Sequence, residues 1–215
     1  MHGAFKDASQ NALPIEEVTV AQRLKAAGYA THAVGKWHLG FKTWRYTPQE
    51  RGFDSFFGYY GGSTDYYTLE SLCWPDANCF TQDTPDGEAI SGFDLHRDRE
   101  VISNNTEYST TLFTAEAEKV IAAHAAGSPG VPLFLYLPYQ AVHVGNKPTQ
   151  DHPEYGLDQA PQRYIDEYSW VQEEQRRNLS AMVTVMDEAS LPGNSVAPFL
   201  PRICSRTLMG CFVPL

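Results

Sequence analysis

Basic residues are scarce in this chain. Its 215 residues include 16 Lys and Arg against 26 Asp and Glu, a formal charge of −10. Nucleic acid, which is bound through clustered cations, is therefore a poor partner. Long apolar runs are missing too. The longest, Val131 to Tyr139, contains two prolines and falls well short of the ~20 residues a membrane-spanning helix needs. Met1 to Pro14 holds no apolar stretch of the length a secretory leader's core requires. The four cysteines do not stand at the Cys and His spacings of a zinc site. What is present, 42% hydrophobic and 20% charged residues, fits a globular chain. At roughly 150 residues per domain, the length fits one domain or a large part of one.

Acidic residues are also missing from one place. Every Asp and Glu lies at or before Glu188, so residues 1 to 188 carry −12 and the remainder +2. Residues 190–215 hold four prolines and two cysteines, with no period of 2 or 3.6 that would bury a face. Little regular structure is expected in this divergent Pro-rich tail, and 1–189 is read as the structured part.

Val20, Leu24 and Ala27 fall at i, i+4 and i+7 before Gly28, which predicts a short amphipathic helix. Tyr29 to Val34 reads as a strand between two glycines. Residues 41 to 103, rich in Gly, Pro, Asp and aromatics, read as loops and short irregular strands. A second helix is expected from about Glu107 to Ala126, with Leu112, Ala115, Ala117, Val120 and Ile121 as its apolar face. Leu133 to Leu137 reads as a strand buried on both faces of a parallel sheet. A third helix is expected from Tyr164 to Ala189, with Tyr168, Val171, Leu179, Met182, Val183 and Met186 mostly on one side. This order argues an α/β fold, with helices packed on a mainly parallel sheet.

In such sheets, sites form beyond the carboxyl ends of the strands. Gly35-Lys36-Trp37-His38-Leu39-Gly40 stands at one such end. Lys36 can neutralise charge on an anion and His38 can move a proton. Lys36 is followed by Trp37, and Gly28 lies too far upstream, so the segment is no P-loop. His143, in Gln140-Ala141-Val142-His143, stands just past the second strand and could reach the same crevice. The residues alone leave open a solvated Lys36 and histidines that only hydrogen-bond loops.

The segment Thr19 to Gly40 resembles the second signature of the sulfatase family. It is followed in order by Arg51-Gly52-Phe53-Asp54-Ser55-Phe56-Phe57-Gly58-Tyr59, Asp65-Tyr66-Tyr67, Leu133 to Leu137 with Gln140 to His143, and Met186-Asp187-Glu188-Ala189. The series covers about residues 13 to 189 and most resembles the arylsulfatase B-like branch. The resemblance implies part of an alkaline-phosphatase-like α/β catalytic domain that hydrolyses sulfate esters, sulfated sugars among them. It implies a formylglycine nucleophile made from cysteine. Lys36 would hold sulfate oxygens, His38 would take a proton from the formylglycine hydrate as the sulfated intermediate collapses, and His143 would protonate the leaving oxygen. It also implies a Ca2+ ion, whose ligands are not recognisable in this chain, and a lysosomal or secreted location.

The family's Cys-x-Pro-Ser-Arg signature does not precede Gly35. Cys73-Trp74-Pro75 lacks Ser-Arg, and Cys204-Ser205-Arg206 lacks the proline. The expectation is an internal piece of a catalytic domain, inactive by itself, from a truncated product or incomplete gene model. The alternatives are a non-catalytic relative that binds sulfate or sulfated glycans, and a phosphoester hydrolase of the same superfamily. Similar sulfatases suggest a Cys73 to Cys79 disulfide. Gly145 stands where the family usually has proline. Asn104-Asn105-Thr106 and Asn178-Leu179-Ser180 are glycosylation sequons. The aromatics Phe53, Phe56, Phe57, Tyr59, Tyr60, Tyr66 and Tyr67 are read as packing residues, with stacking on sugar rings as the alternative.

Overall fold

The computed structural model describes residues 12–73, 90–145 and 158–190. The first helix, α1 (Val20–Ala26), starts where Thr19 Oγ1 accepts from Gln22 N (3.1 Å) and Gln22 Oε1 accepts from Thr19 N (2.9 Å). This reciprocal pair satisfies two donors that a helix start otherwise leaves orphaned. Gly28, at φ +88°, turns the chain out of the helix.

The chain then enters β1 (Ala30–Lys36), followed by β2 (Ser55–Tyr59), β3 (Glu70–Cys73), β4 (Ile90–Phe93), β5 (Leu95–Arg97) and β6 (Glu100–Val101). Helix α2 (Ser109–Gly127) leads into β7 (Leu133–Tyr136), and α3 (Gln162–Glu167) and α4 (Glu174–Ser190) complete the described chain. Five strands form one sheet in the order β6-β5-β2-β1-β7, while β3 and β4 pair separately. Both neighbours of β1 run parallel to it, and β5 and β6 are antiparallel additions. The carboxyl ends of β2, β1 and β7 therefore lie side by side along one edge.

Alternation along the strands builds two layers, because successive side chains face opposite ways. Ala33 and Phe56 pack with Ala21 of α1, Trp37, Phe53 and Tyr60. Val34, Phe57 and Tyr59 pack with Leu69, Leu95 and Phe113 of α2 on the other face. A third cluster joins Tyr66 and Tyr108 to Tyr164, Ala181, Met182 and Val185 of α3 and α4.

Several sequence expectations are corrected here. β1 continues through Gly35 and Lys36, because its parallel partner runs in register as far as Tyr59. The 41–103 region contains β2, a regular strand in the middle of the sheet, whose burial no alternation in the sequence reveals. In α1 the buried residue is Ala21 and Val20 is exposed. Gly52 packs against the backbone at Ala21 and Gln22, and that close approach favours a small residue. In α2 the apolar face is rotated: Phe113 is fully buried and Ala115 is exposed. β7 is only half-buried, since it ends the strand order. The single helix expected over 164–189 is two, separated by a turn in which Arg177 donates to the carbonyls of Val171 and Gln172. Ala181, Met182 and Val185 are the buried face of α4, while Leu179 and Val183 are exposed. The tail and the Cys73 to Cys79 pairing lie outside the described residues. The aromatics are packing residues: Phe53, Phe56, Phe57, Tyr59, Tyr60 and Tyr66 are all buried, and Tyr67 is half-buried.

Candidate functional site

The Lys36 segment is held by backbone. Lys36 N donates to Pro138 O (2.9 Å), Trp37 N to Tyr59 O (2.9 Å) and His38 N to Tyr60 O (3.2 Å). The end of β1 and the two residues after it are thus tied to the ends of the strands on either side or to the residues just beyond them. Gly35 has φ +121°, and a Cβ there would overlap the Pro138 carbonyl oxygen; a Cβ at Gly58 would overlap the carbonyl of Gly35. These two positions need glycine because three strand ends converge without room for a side chain. Trp37 is buried, and its indole nitrogen donates to Gly40 O (3.1 Å) and Tyr46 O (3.0 Å). His38 occupies the left-handed region at φ +52°, uncommon for a residue with a Cβ. Lys36 and His38 flank the buried Trp37, and both are half-buried.

The His143 segment is held by side chains. Gln140, 2% exposed, accepts from Thr64 Oγ1 (2.6 Å) and donates to Thr64 O (2.7 Å). His143 N donates to Gln140 O (2.9 Å), and the buried phenol of Tyr66 donates to His143 O (2.7 Å). Burial pushes the Tyr66 hydroxyl well above the ordinary tyrosine range, so it stays a donor. Tyr66 N in turn donates to Gln159 Oε1 (2.7 Å), and Gln159 Nε2 donates to Asp65 Oδ2 (2.6 Å). His143 itself is exposed, and its Nδ1 lies 2.8 Å from Val144 O. A carbonyl only accepts, so Nδ1 carries the proton in that contact.

A third element braces the same edge. Asp94 accepts from Tyr60 N (3.1 Å), Gly61 N (2.9 Å) and Ser71 Oγ (2.8 Å), and His96 lies beside it at 3.5 Å. Burial raises the Asp94 carboxyl above the usual range, partly offset by those donors. The carboxylate replaces the partners that the chain loses where it leaves β2.

Lys36 is thus the last residue of β1 and His38 lies two residues beyond it, while His143 lies seven residues beyond the end of the parallel neighbour β7. The braces Thr64, Tyr66, Asp94 and Gln159 were not singled out from the sequence as site residues. Tyr66 lies inside the Asp65-Tyr66-Tyr67 motif, whereas Asp94 and Gln159 stand in stretches without period or repeat. Two surface clefts, of about 450 and 430 Å³, are lined by other residues, among them Lys42 and Arg45 in the first and Trp170 and Arg176 in the second.

A model of the sulfatase family matches residues 2–190. The chain belongs to the sulfatase family. It is 37% identical over 190 residues to Arylsulfatase J of Mus musculus, covering 87% of this chain and 27% of the relative. To an arylsulfatase of Klebsiella aerogenes it is 30% identical over 175 residues, 81% of this chain and 33% of the relative. The chain therefore spans about a quarter to a third of these relatives' length. Among solved structures, Ps i-CgsB superposes with a TM-score of 0.64 at 22% identity, covering 94% of this chain and 40% of that one. The same protein in complex with k-i-k-neocarrahexaose gives 0.62 at 24% identity, covering 86% and 38%. These likenesses confirm the sulfatase-type α/β fold, with its mostly parallel central sheet.

Membership of the family implies a metal cofactor for the catalytic domain. Among the described residues, no group of three or more His, Cys, Asp or Glu is placed to hold a metal ion. The described residues therefore do not fit a metal site. Nor is any described helix long and apolar enough to cross a membrane.

Proposed function

We propose that the edge at the ends of β1 and β7 is the sulfate-binding part of an enzyme that hydrolyses sulfate esters. The reading is carried by the family match, which spans Lys36, His38 and His143 together. Lys36 neutralises charge on the sulfate oxygens, a term that grows where solvent is limited. His143 Nε2 gives a proton to the leaving alcohol oxygen, with Nδ1 already engaged by Val144. His38 accepts a proton at the nucleophile's side. The roles need two groups that exchange protons and one that keeps its charge, and two imidazoles and an ammonium supply them. Sulfated saccharides are the proposed substrate class. The k-i-k-neocarrahexaose with which Ps i-CgsB was solved supports a saccharide by likeness of fold alone.

Equilibrium titration of the full chain with inorganic sulfate tests the binding half of the reading. Saturable binding that is weakened at least tenfold in Lys36→Ala is expected. Equal binding by both proteins would overturn it. Preference for phosphate over sulfate would favour the phosphoester reading instead.

A further inference from the structure

We infer that Asn104 is an attachment site for an N-linked glycan and that the second sequon, at Asn178, is withheld by the fold. The two triplets are chemically similar, but the structure presents them differently. Asn104 is exposed in the loop between β6 and α2, at φ +63°. Asparagine tolerates this left-handed conformation better than most residues with a Cβ. Among the described residues its carboxamide makes a single long contact, 3.5 Å to Ser103 Oγ, and Thr106 is exposed. The middle residue does the anchoring. Asn105 Nδ2 donates to Tyr67 O (2.5 Å) and to Glu107 O (2.8 Å), which pins the turn while leaving the residues on either side of Asn105 at the surface. Asn178, by contrast, is half-buried within α4, and Ser180 Oγ donates to Arg176 O at 2.8 Å. The hydroxyl that a transferase must engage is occupied by the helix, and helical backbone cannot turn the carboxamide toward it.

The reaction needs a lipid-pyrophosphate-linked oligosaccharide and its transferase. Asn104 Nδ2 forms a bond to the anomeric carbon of the first sugar and loses a proton to the transferase's base. The bond from that carbon to the pyrophosphate oxygen breaks, and the lipid pyrophosphate leaves with the electron pair. No electrons are exchanged with an oxidant or reductant. β6 runs antiparallel to β5, which runs antiparallel to β2. The loop after β6 therefore leaves at the same end of the sheet as Lys36, and a glycan on Asn104 stands at that end, beside the start of α2. The inference does not depend on the sulfate-ester reading.

The test is expression of the full chain behind a cleavable secretory leader in a eukaryotic host, with the lumenal fraction analysed before and after peptide N-glycosidase. One glycan-sized mobility step is expected. Thr106→Ala should abolish it while keeping Asn104 and its backbone, Thr106→Ser should retain it in part, and Asn178→Gln should leave it unchanged. Peptide mapping should place the Asn to Asp conversion at position 104. A wild-type lumenal chain without the step, a step that survives Thr106→Ala, or one lost in Asn178→Gln would each overturn the assignment.

Discussion

The segments that carry Lys36 and His143 lie at the ends of adjacent parallel strands, yet they are fixed by different means. Around Lys36 the positioning is done by main chain: strand register, three successive backbone hydrogen bonds, and two glycines that admit no side chain. Around His143 it is done by side chains, namely Gln140, Thr64 and Tyr66, over a loop whose histidine is exposed. Main-chain positioning is set by the fold and fails with it. Side-chain positioning can be loosened locally while the sheet survives.

The largest effect that would separate the two is expected from Gly35→Ala. The new methyl meets the Pro138 carbonyl, and alanine is strained at φ +121°. A loss of about 3 kcal/mol or more is expected, read as a large fall in thermal midpoint or loss of soluble protein. A wild-type midpoint would show that the strand ends are not packed as described.

Gln140→Leu should cost less, about 2 kcal/mol, because it leaves the Thr64 hydroxyl and carbonyl buried without their partner. Its more telling consequence is local. Amide exchange at His143 should accelerate strongly, while exchange at Trp37 stays near wild type. Equal acceleration at both would erase the distinction between the two segments.

The smallest effect concerns the opposite end of β1. Burial tends to raise the Asp54 carboxyl, but its ion pair with Lys25 and its bonds from Thr31 prevail and hold it below the usual range. A carboxylate lowered in the folded state contributes stability above its unfolded pKa, about 3.9 for Asp. That contribution fades as the pH falls through the folded value. Half-exposed Lys25 makes it small, under about 1 kcal/mol after solvent screening. Urea midpoints of wild type and Asp54→Asn should differ at pH 7 and converge below pH ~4. A gap that widens on acidification would contradict the sign.

The same contrast explains how much the sequence disclosed. α1, β1, α2 and β7 were legible because period and punctuation mark them: Gly28 after α1, the Gly127 to Gly130 stop after α2, the apolar run of β7. The ends of β1 and β7 could be placed at one edge from the α/β order alone. β2 was not legible, since Phe56 and Phe57 face opposite layers and read as a plain aromatic cluster. The break between α3 and α4 was hidden because Tyr168 and Val171 continue a helical spacing that the local turn overrides. Thr64, Gln140 and Tyr66 work through contacts more than 70 residues apart in sequence, and no local pattern encodes such pairs. The family resemblance points to Lys36, His38 and His143, whereas the difference in kind between the two supports lies in long-range contacts that the sequence does not display.

The central claim is that one anion is held between the ends of β1 and β7. Its most direct test is a sulfate titration of the isotopically labelled full chain, followed by NMR. The account predicts saturable shifts at Lys36, His38 and His143 that share one dissociation constant and vanish in Lys36→Ala. Shifts that centre on the Lys42 and Arg45 cleft, or that persist without Lys36, would contradict it.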